Sequence, residues 1–265
     1  MVYLVLIFVC LFVCSFQLDV EVVDLSHTIG PTTISVPINP PFNFTVLERN
    51  FNERYRIWIE GNWFGMSEHT LTHVDAPAHM SMGKEYINEI PLEKLIGPAV
   101  VLDVKRKAEM VQEYGISITD LFDWERRFGR IPDGAAVIMN SGWDRRYPHP
   151  YAVFNTRNIS NLETYRVPSW TFEAADWLLT NRRVIAIGVD SPSVDFYSGE
   201  TLPVHRRIFR DSVIALEGVA NLDSLPLHGA TIYIPALKLY KGSGTPTRIF
   251  ATFPKCRSFL HKLKK

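Results

Sequence analysis

The chain has 265 residues, 46% of them hydrophobic, enough to build one sizeable core. Basic and acidic side chains balance at 28 each and no basic run is interleaved with aromatics, which argues against a nucleic-acid partner. Two of the three cysteines, Cys10 and Cys14, fall in the first 17 residues, which excludes a disulfide scaffold or a Cys-rich metal site in the remainder.

Residues 2–16 are almost unbroken apolar sequence, shorter than the roughly 20 residues a bilayer span needs. They read as a secretory signal peptide, residues 1–17, cleaved between Ser15 and Leu18; an uncleaved anchor is the alternative. The remaining 18–265 would enter the secretory lumen or leave the cell, free of the membrane, with Cys256 as its one thiol. Two sequons, at Asn43 and Asn158, fit a glycoprotein. Short apolar runs rich in β-branched residues predict strands at 99–104, 135–139, 184–189, 213–216, 231–234 and 248–253. Between them, helices are expected at 118–128, at 170–180 with Ser169 as N-cap, and at 203–210 with Pro203 at its start. No repeat or linker divides the sequence. The alternation predicts a single α/β domain around a central mixed sheet.

Residues 67–79, SEHTLTHVDAPAH, hold His69, His73, Asp75 and His79, three of the eight histidines in the chain. Imidazole and carboxylate together suit Zn²⁺ or Mn²⁺. The helical zinc-protease motif is excluded, because Thr70 follows the first histidine where that motif has Glu. On a straight strand His69 and His73 would stand about 13 Å apart, four steps of roughly 3.3 Å. A shared ion therefore demands a bend, and Pro77 supplies a further break before His79. The competing reading is ordinary hydrogen-bonded histidines. Four donors so close favour an ion, since each buried polar group needs a partner and one ion satisfies several. His205 and Glu217 flank the run 213–216 and are further candidate donors; taken singly, each reads as a surface residue.

The stretch from His69 to His79 resembles the H-x-G-T-H-x-D-x-P-x-H block of the cyclase-type metal-dependent hydrolases, a family that includes bacterial kynurenine formamidases and isatin hydrolases. Weaker matching stretches run along most of the chain: VVDLSH at 22–27, GPAVVLDV at 97–104, SGW at 141–143, GVDSPSVD at 188–195 and GSGTPTRIFA at 242–251. The resemblance implies a swivelling β/β/α arrangement and a homodimer or higher oligomer. It implies that His69 and His73 hold one ion, that Asp75 and Glu217 bridge to a second completed by His205, and that His79 transfers protons. One or two ions of Zn²⁺ or Mn²⁺ would be bound. The implied reaction is hydrolysis of a small-molecule amide or lactam, with water activated by the ion as nucleophile. No G-x-S-x-G elbow, phosphate loop or dinucleotide fingerprint competes with it. The alternatives are a secreted binding protein that keeps the scaffold without the chemistry, and a purely structural metal site.

Two departures bear on the substrate. The family glycine is Leu71 here, so either the bend falls elsewhere or the pocket is narrower. The Trp-Pro-Gly-Asp stretch of the kynurenine formamidases reads Val36-Pro37-Ile38-Asn39 here, which removes their aromatic platform and argues against formylkynurenine as the substrate. Trp58, Trp63 and Phe64 are candidates to line the pocket in its place, weighed against a commoner role in a core or interface.

Overall fold

The computed structural model describes residues 19–199 and 201–255. The leader and its cleavage site, Cys256 and the basic tail lie outside them. The strands are β1 (Val20–Asp24), β2 (Asn43–Asn52), β3 (Ile57–Gly65), β4 (His73–Asp75), β5 (Ile96–Asp103), β6 (Gly115–Ile116), β7 (Ala135–Asn140), β8 (Ser169–Trp170), β9 (Val184–Val189), β10 (Ile214–Glu217), β11 (Ala230–Tyr233), β12 (Gly244–Pro246) and β13 (Phe250–Pro254). The α-helices are α1 (Lys105–Met110), α2 (Ile118–Phe128), α3 (Pro150–Val153), α4 (Phe172–Asn181) and α5 (Pro203–Arg210).

Nine strands form one sheet in the order β1-β13-β11-β5-β7-β9-β10-β4-β12. The centre, β5-β7-β9-β10, is parallel, and the flanking pairs are antiparallel. This is the mixed sheet of the expected α/β domain. In β5, Val100 and Leu102 enter one core while Ala99 and Val101 enter the other. Alternate residues face opposite sides of a strand, so burial on both faces gives the continuous apolar runs seen in the sequence. The first core is roofed by helices: Leu121 and Trp124 of α2, Ala174 and Leu178 of α4, Ile208 and Phe209 of α5. The second is closed by Leu25, Val74, Ile232 and Ile249.

Helix α2 starts where the sequence places it, because Ser117 accepts from the Asp120 amide while the Asp120 side chain accepts from the Ser117 amide. Helix α4 starts later than expected. Ser169 is not its cap; Thr171 is, accepting from Ala174 N at 3.2 Å. The Ser169 hydroxyl is already committed to the carbonyls of Ser193 and Asp195, and Ser169–Trp170 instead pair with β6.

The sheet brings distant residues together at the ends of β9, β10 and β4. Across the antiparallel β10–β4 pair, Glu217 stands directly opposite His73. Directly opposed residues share a face and come within side-chain contact. The next residue, Gly218, has φ +60°, and a Cβ there would lie 2.5 Å from the Leu71 carbonyl oxygen. Thr72 Oγ1 donates to the Gly218 carbonyl at 2.6 Å, fixing the same close approach. Gly218→Ala is expected to lower the melting temperature and weaken divalent-ion uptake together, since relief of the clash must part β10 from the His69–His73 segment. A melt and a dye-competition titration on the same variant check this; unchanged ion affinity would refute it.

Candidate active site

The bend that the sequence demands occurs at Leu71, which takes φ +59° itself. Of the two alternatives that Leu71 left open, a bend that falls elsewhere is therefore overturned. A left-handed Leu costs about 1–2 kcal/mol. The conformation gives something in return: the Leu71 carbonyl lies 2.9 Å from His73 Nδ1 and accepts its proton. His73 then turns Nε2 toward Asp75 Oδ1, at 3.1 Å, and Glu217 Oε2, at 3.5 Å. The His69 and His73 rings end 5.5 Å apart by centroid, and a 3₁₀ turn at Pro77–His79 stacks His79 on His69 at 3.8 Å.

Asp75 is the hub. It is 1% exposed, and its carboxylate meets His69 Nδ1 at 2.7 Å, His73 Nε2 at 3.1 Å and His205 Nε2 at 3.5 Å. His205 also lies 3.1 Å from Glu217 Oε1. The structure thus brings together all six residues singled out in the sequence. Two groups of donors are close enough to share an ion: His69, Asp75 and His79; and His73, Asp75 and Glu217. The first contains His79, the residue assigned to proton transfer.

The donor set fits a dication by charge. Burial works against protonation of His73, but Asp75 and Glu217 outweigh it and raise its pKa to about 9. His205 is raised well above its usual value against the same burial, through Asp195, Asp75 and Glu217. Asp75 is lowered despite burial, chiefly by His73. Two imidazolium protons therefore offset the charges of Asp75 and Glu217 in the metal-free cluster, and one divalent ion can replace both without changing its net charge. Ligand histidines must be neutral, so ion uptake releases protons. Below pH 9 His73 carries the competing proton, and apparent ion affinity is expected to rise with pH up to that value. Calorimetry of Zn²⁺ uptake in buffers of different ionisation enthalpy reads about two protons released per site at pH 7; buffer-independent heats would refute it.

Several residues of the site escaped the sequence reading. Asp195 accepts from His205 Nδ1 at 2.7 Å and from the amides of Val204 and His205 at the start of α5, which aims His205 Nε2 at the hub. Asp190 accepts from Ser141 and Trp143 and is pushed up to about 6, burial outweighing those hydrogen bonds. Both aspartates belong to the GVDSPSVD stretch, whose pairing of acids with serines was the available signal.

The cluster lines a cavity of about 310 Å³. Its lining also includes Trp143, Tyr147, Phe154 and Tyr197, together with Ile34, Val36 and Ile38. The cavity is therefore aromatic despite the missing platform at Val36. Trp58, Trp63 and Phe64 do not line it. They stand half-exposed on the β2–β3 hairpin, a separate two-stranded sheet, which overturns both the pocket and the core roles considered for them. Among the described residues lining the cavity there is no Lys or Arg.

A family model described as "Putative cyclase" matches residues 23–196. The chain belongs to the cyclase family. Within it, the isatin hydrolase of Roseibium aggregatum is 29% identical over 89% of this chain and 93% of its own length. The kynurenine formamidase of Salinibacter ruber is 25% identical over 85% of this chain and 94% of its own. The solved structure of isatin hydrolase A from Ralstonia solanacearum superposes with a TM-score of 0.80 at 30% identity, covering 93% of this chain and 97% of that one. These matches to named enzymes run nearly end to end, and nothing in them favours a scaffold that has lost its chemistry.

Proposed function

We propose that this cyclase-family chain hydrolyses the C–N bond of a small, neutral aromatic amide or lactam. The observation that carries the reading is the cluster itself: one buried carboxylate, Asp75, meets three imidazoles in the lining of an aromatic cavity. His69, His73, Asp75, His205 and Glu217 would hold one or two ions of Zn²⁺ or Mn²⁺. The chemistry that such an ion supplies when bound is polarisation of the carbonyl and acidification of water. His79 is the base. Burial pulls its pKa down to about 4, so it is neutral at physiological pH. Its ring faces the cavity, where it takes the proton of the attacking water and returns it to the leaving nitrogen. Trp143 and Phe154 supply flat apolar surface for a ring.

The substrate class follows from charge. A kynurenine formamide carries an amino-acid carboxylate, and the described cavity wall offers no Lys or Arg to meet it. A neutral fused lactam of the isatin kind needs none. The test is a screen of aryl formamides, isatin-type lactams and aromatic lactones on Zn²⁺- and Mn²⁺-loaded protein. Turnover of a neutral aromatic amide, lost with chelator and restored by the ion, supports the reading. Ion-loaded, folded protein that hydrolyses none of them overturns it.

The family likeness also supports a homo-oligomer, and the β2–β3 hairpin is the surface that suits it. Phe44, Val46, Leu47, Phe51, Trp58, Trp63 and Phe64 are all exposed there, over both faces of the two strands. Apolar surface on this scale marks an interaction site. Trp58→Ser with Trp63→Ser is expected to shift the chain to monomer in light scattering; an unchanged mass would refute the hairpin's role. Secretion is part of the same reading. The apolar leader supports it, as does the exposure of Asn43 and Asn158, which glycosylation requires. Expression in a secretory host, followed by a glycosidase mobility shift, tests it.

A further inference from the structure

Three imidazoles surround Asp75, and each has one nitrogen engaged on its far side. For His73 that nitrogen is Nδ1, bonded to the Leu71 carbonyl. For His205 it is again Nδ1, bonded to Asp195. Both therefore offer Nε2 to the centre. His69 is reversed. Its Nδ1 faces Asp75 at 2.7 Å, and its Nε2 lies 2.8 Å from Ser243 Oγ.

We propose that Glu68 and Ser243 hold His69 in the tautomer with the proton on Nε2, so that Nδ1 is the nitrogen offered to the divalent ion beside Asp75. The proposal rests on the metal-centre reading above and adds two positioning residues to it. Ser243 stands in the GSGTP stretch, to which the reaction assigns no other role.

The direction of the hydrogen bonds decides the tautomer. A serine hydroxyl has one proton to give. Ser243 Oγ gives it to Glu68 Oε2 at 2.7 Å, and the Ser243 amide donates to the same oxygen at 2.9 Å. Two donors on one carboxylate oxygen fix the acceptor in place. Toward His69, Ser243 Oγ therefore presents a lone pair, and Nε2 has to bring the proton. Nδ1 is left as the ligand atom once an ion takes the place of the proton shared with the Asp75 carboxylate across 2.7 Å.

Packing keeps the ring in this orientation. The His79 ring stacks on one side at 3.8 Å. On another, a Cβ at Gly244 would lie 2.6 Å from His69 Cε1, so the backbone of β12 approaches as closely as glycine permits. The His69 carbonyl is held by Asn39 Nδ2 at 3.1 Å. Ser243 itself is delivered by the edge of the sheet, since its carbonyl accepts from Ala76 N at 2.8 Å and the next residue pairs with Asp75. Outer partners of this kind fix the tautomer and raise the basicity of a metal-binding imidazole.

The test uses the full chain with ¹⁵N-labelled histidines and Zn²⁺ as the probe ion. Two-bond ¹H–¹⁵N correlations read which nitrogen of each ring is protonated, and dye competition reads Zn²⁺ affinity. In the loaded wild type, His69 should carry its proton on Nε2, while His73 and His205 carry theirs on Nδ1, an internal contrast within one spectrum. Ser243→Ala should lose the His69 signature and weaken Zn²⁺ binding about 10- to 100-fold, the usual cost of removing such a partner. Ser243→Thr keeps the hydroxyl and should restore both. Glu68→Ala should repeat the defect, and Glu68→Gln, whose amide oxygen still accepts, should be milder. Folded Ser243→Ala with wild-type affinity and an intact Nε2 proton overturns the proposal. A wild type that takes up no Zn²⁺ overturns the metal-centre reading and this proposal with it. Wild-type uptake that Ser243→Ala matches overturns the positioning role alone.

Discussion

Asp75→Asn is expected to abolish stoichiometric ion binding and turnover together, while a nearly isosteric side chain remains in place. Three imidazole nitrogens approach the Asp75 carboxylate within 3.5 Å, and the residue is almost wholly buried. An amide at that position removes one negative charge and turns half of the group into a donor. Breaking one partner of a buried charge pair costs about 3–5 kcal/mol. In the metal-free protein that loss falls on His73 and His205, which lose the carboxylate that favours their protonated forms. The metal-free variant should therefore melt well below the wild type and carry less positive charge in the cluster at pH 7. Metal analysis, activity and a thermal melt on one preparation check this. A variant that keeps a full complement of ion would remove Asp75 from the hub.

How much of this was readable beforehand depends on what each residue answers to. The central strands were legible because burial on both faces leaves an apolar run that no neighbour needs to explain, as in Val184–Val189. Helix α5 was legible from Pro203 at its start. The short strands β4 and β12 were not. Three residues carry too little pattern, and His73 and Asp75 look polar until β10 lies beside them. The hairpin β2–β3 was missed for another reason: its apolar residues sit on both faces and are exposed, so they show neither strand alternation nor core burial.

The site divides in the same way. His69, His73, Asp75 and His79 announced themselves by crowding, while His205 and Glu217 were candidates from their place beside the run 213–216 and gained specific roles only through the family likeness. Asp195, Asp190 and Ser243 were hidden because their roles are relational. Asp195 matters through His205, ten residues on, and Ser243 through Glu68 and His69 at the other end of the chain. Leu71 carries the sharpest correction. Sequence logic holds that a bulky residue avoids positive φ, yet here the strained turn is what points a carbonyl at His73. A local preference was overridden by the geometry that the site requires.

His79→Ala is expected to leave the ion bound and lower kcat by about 10²- to 10⁴-fold, the range lost with a general base. The pair of outcomes matters more than either alone. His79 faces the cavity, and burial keeps it neutral with a pKa of about 4. Among the described residues no hydrogen bond engages its ring, so the unprotonated nitrogen is free to accept a proton and the other to pass one on. A base of this kind works at pH 7 and fails only as pH falls toward 4, where it becomes charged. Yet His79 also stands with His69 and Asp75 among donors close enough to share an ion. If it is a ligand, its removal lowers ion content and rate in parallel, and added metal restores part of the activity. If it is the base, ion content stays whole, added metal does nothing, and free imidazole entering the cavity recovers some turnover. Ion content and kcat measured on the same sample, with and without imidazole, separate the two roles.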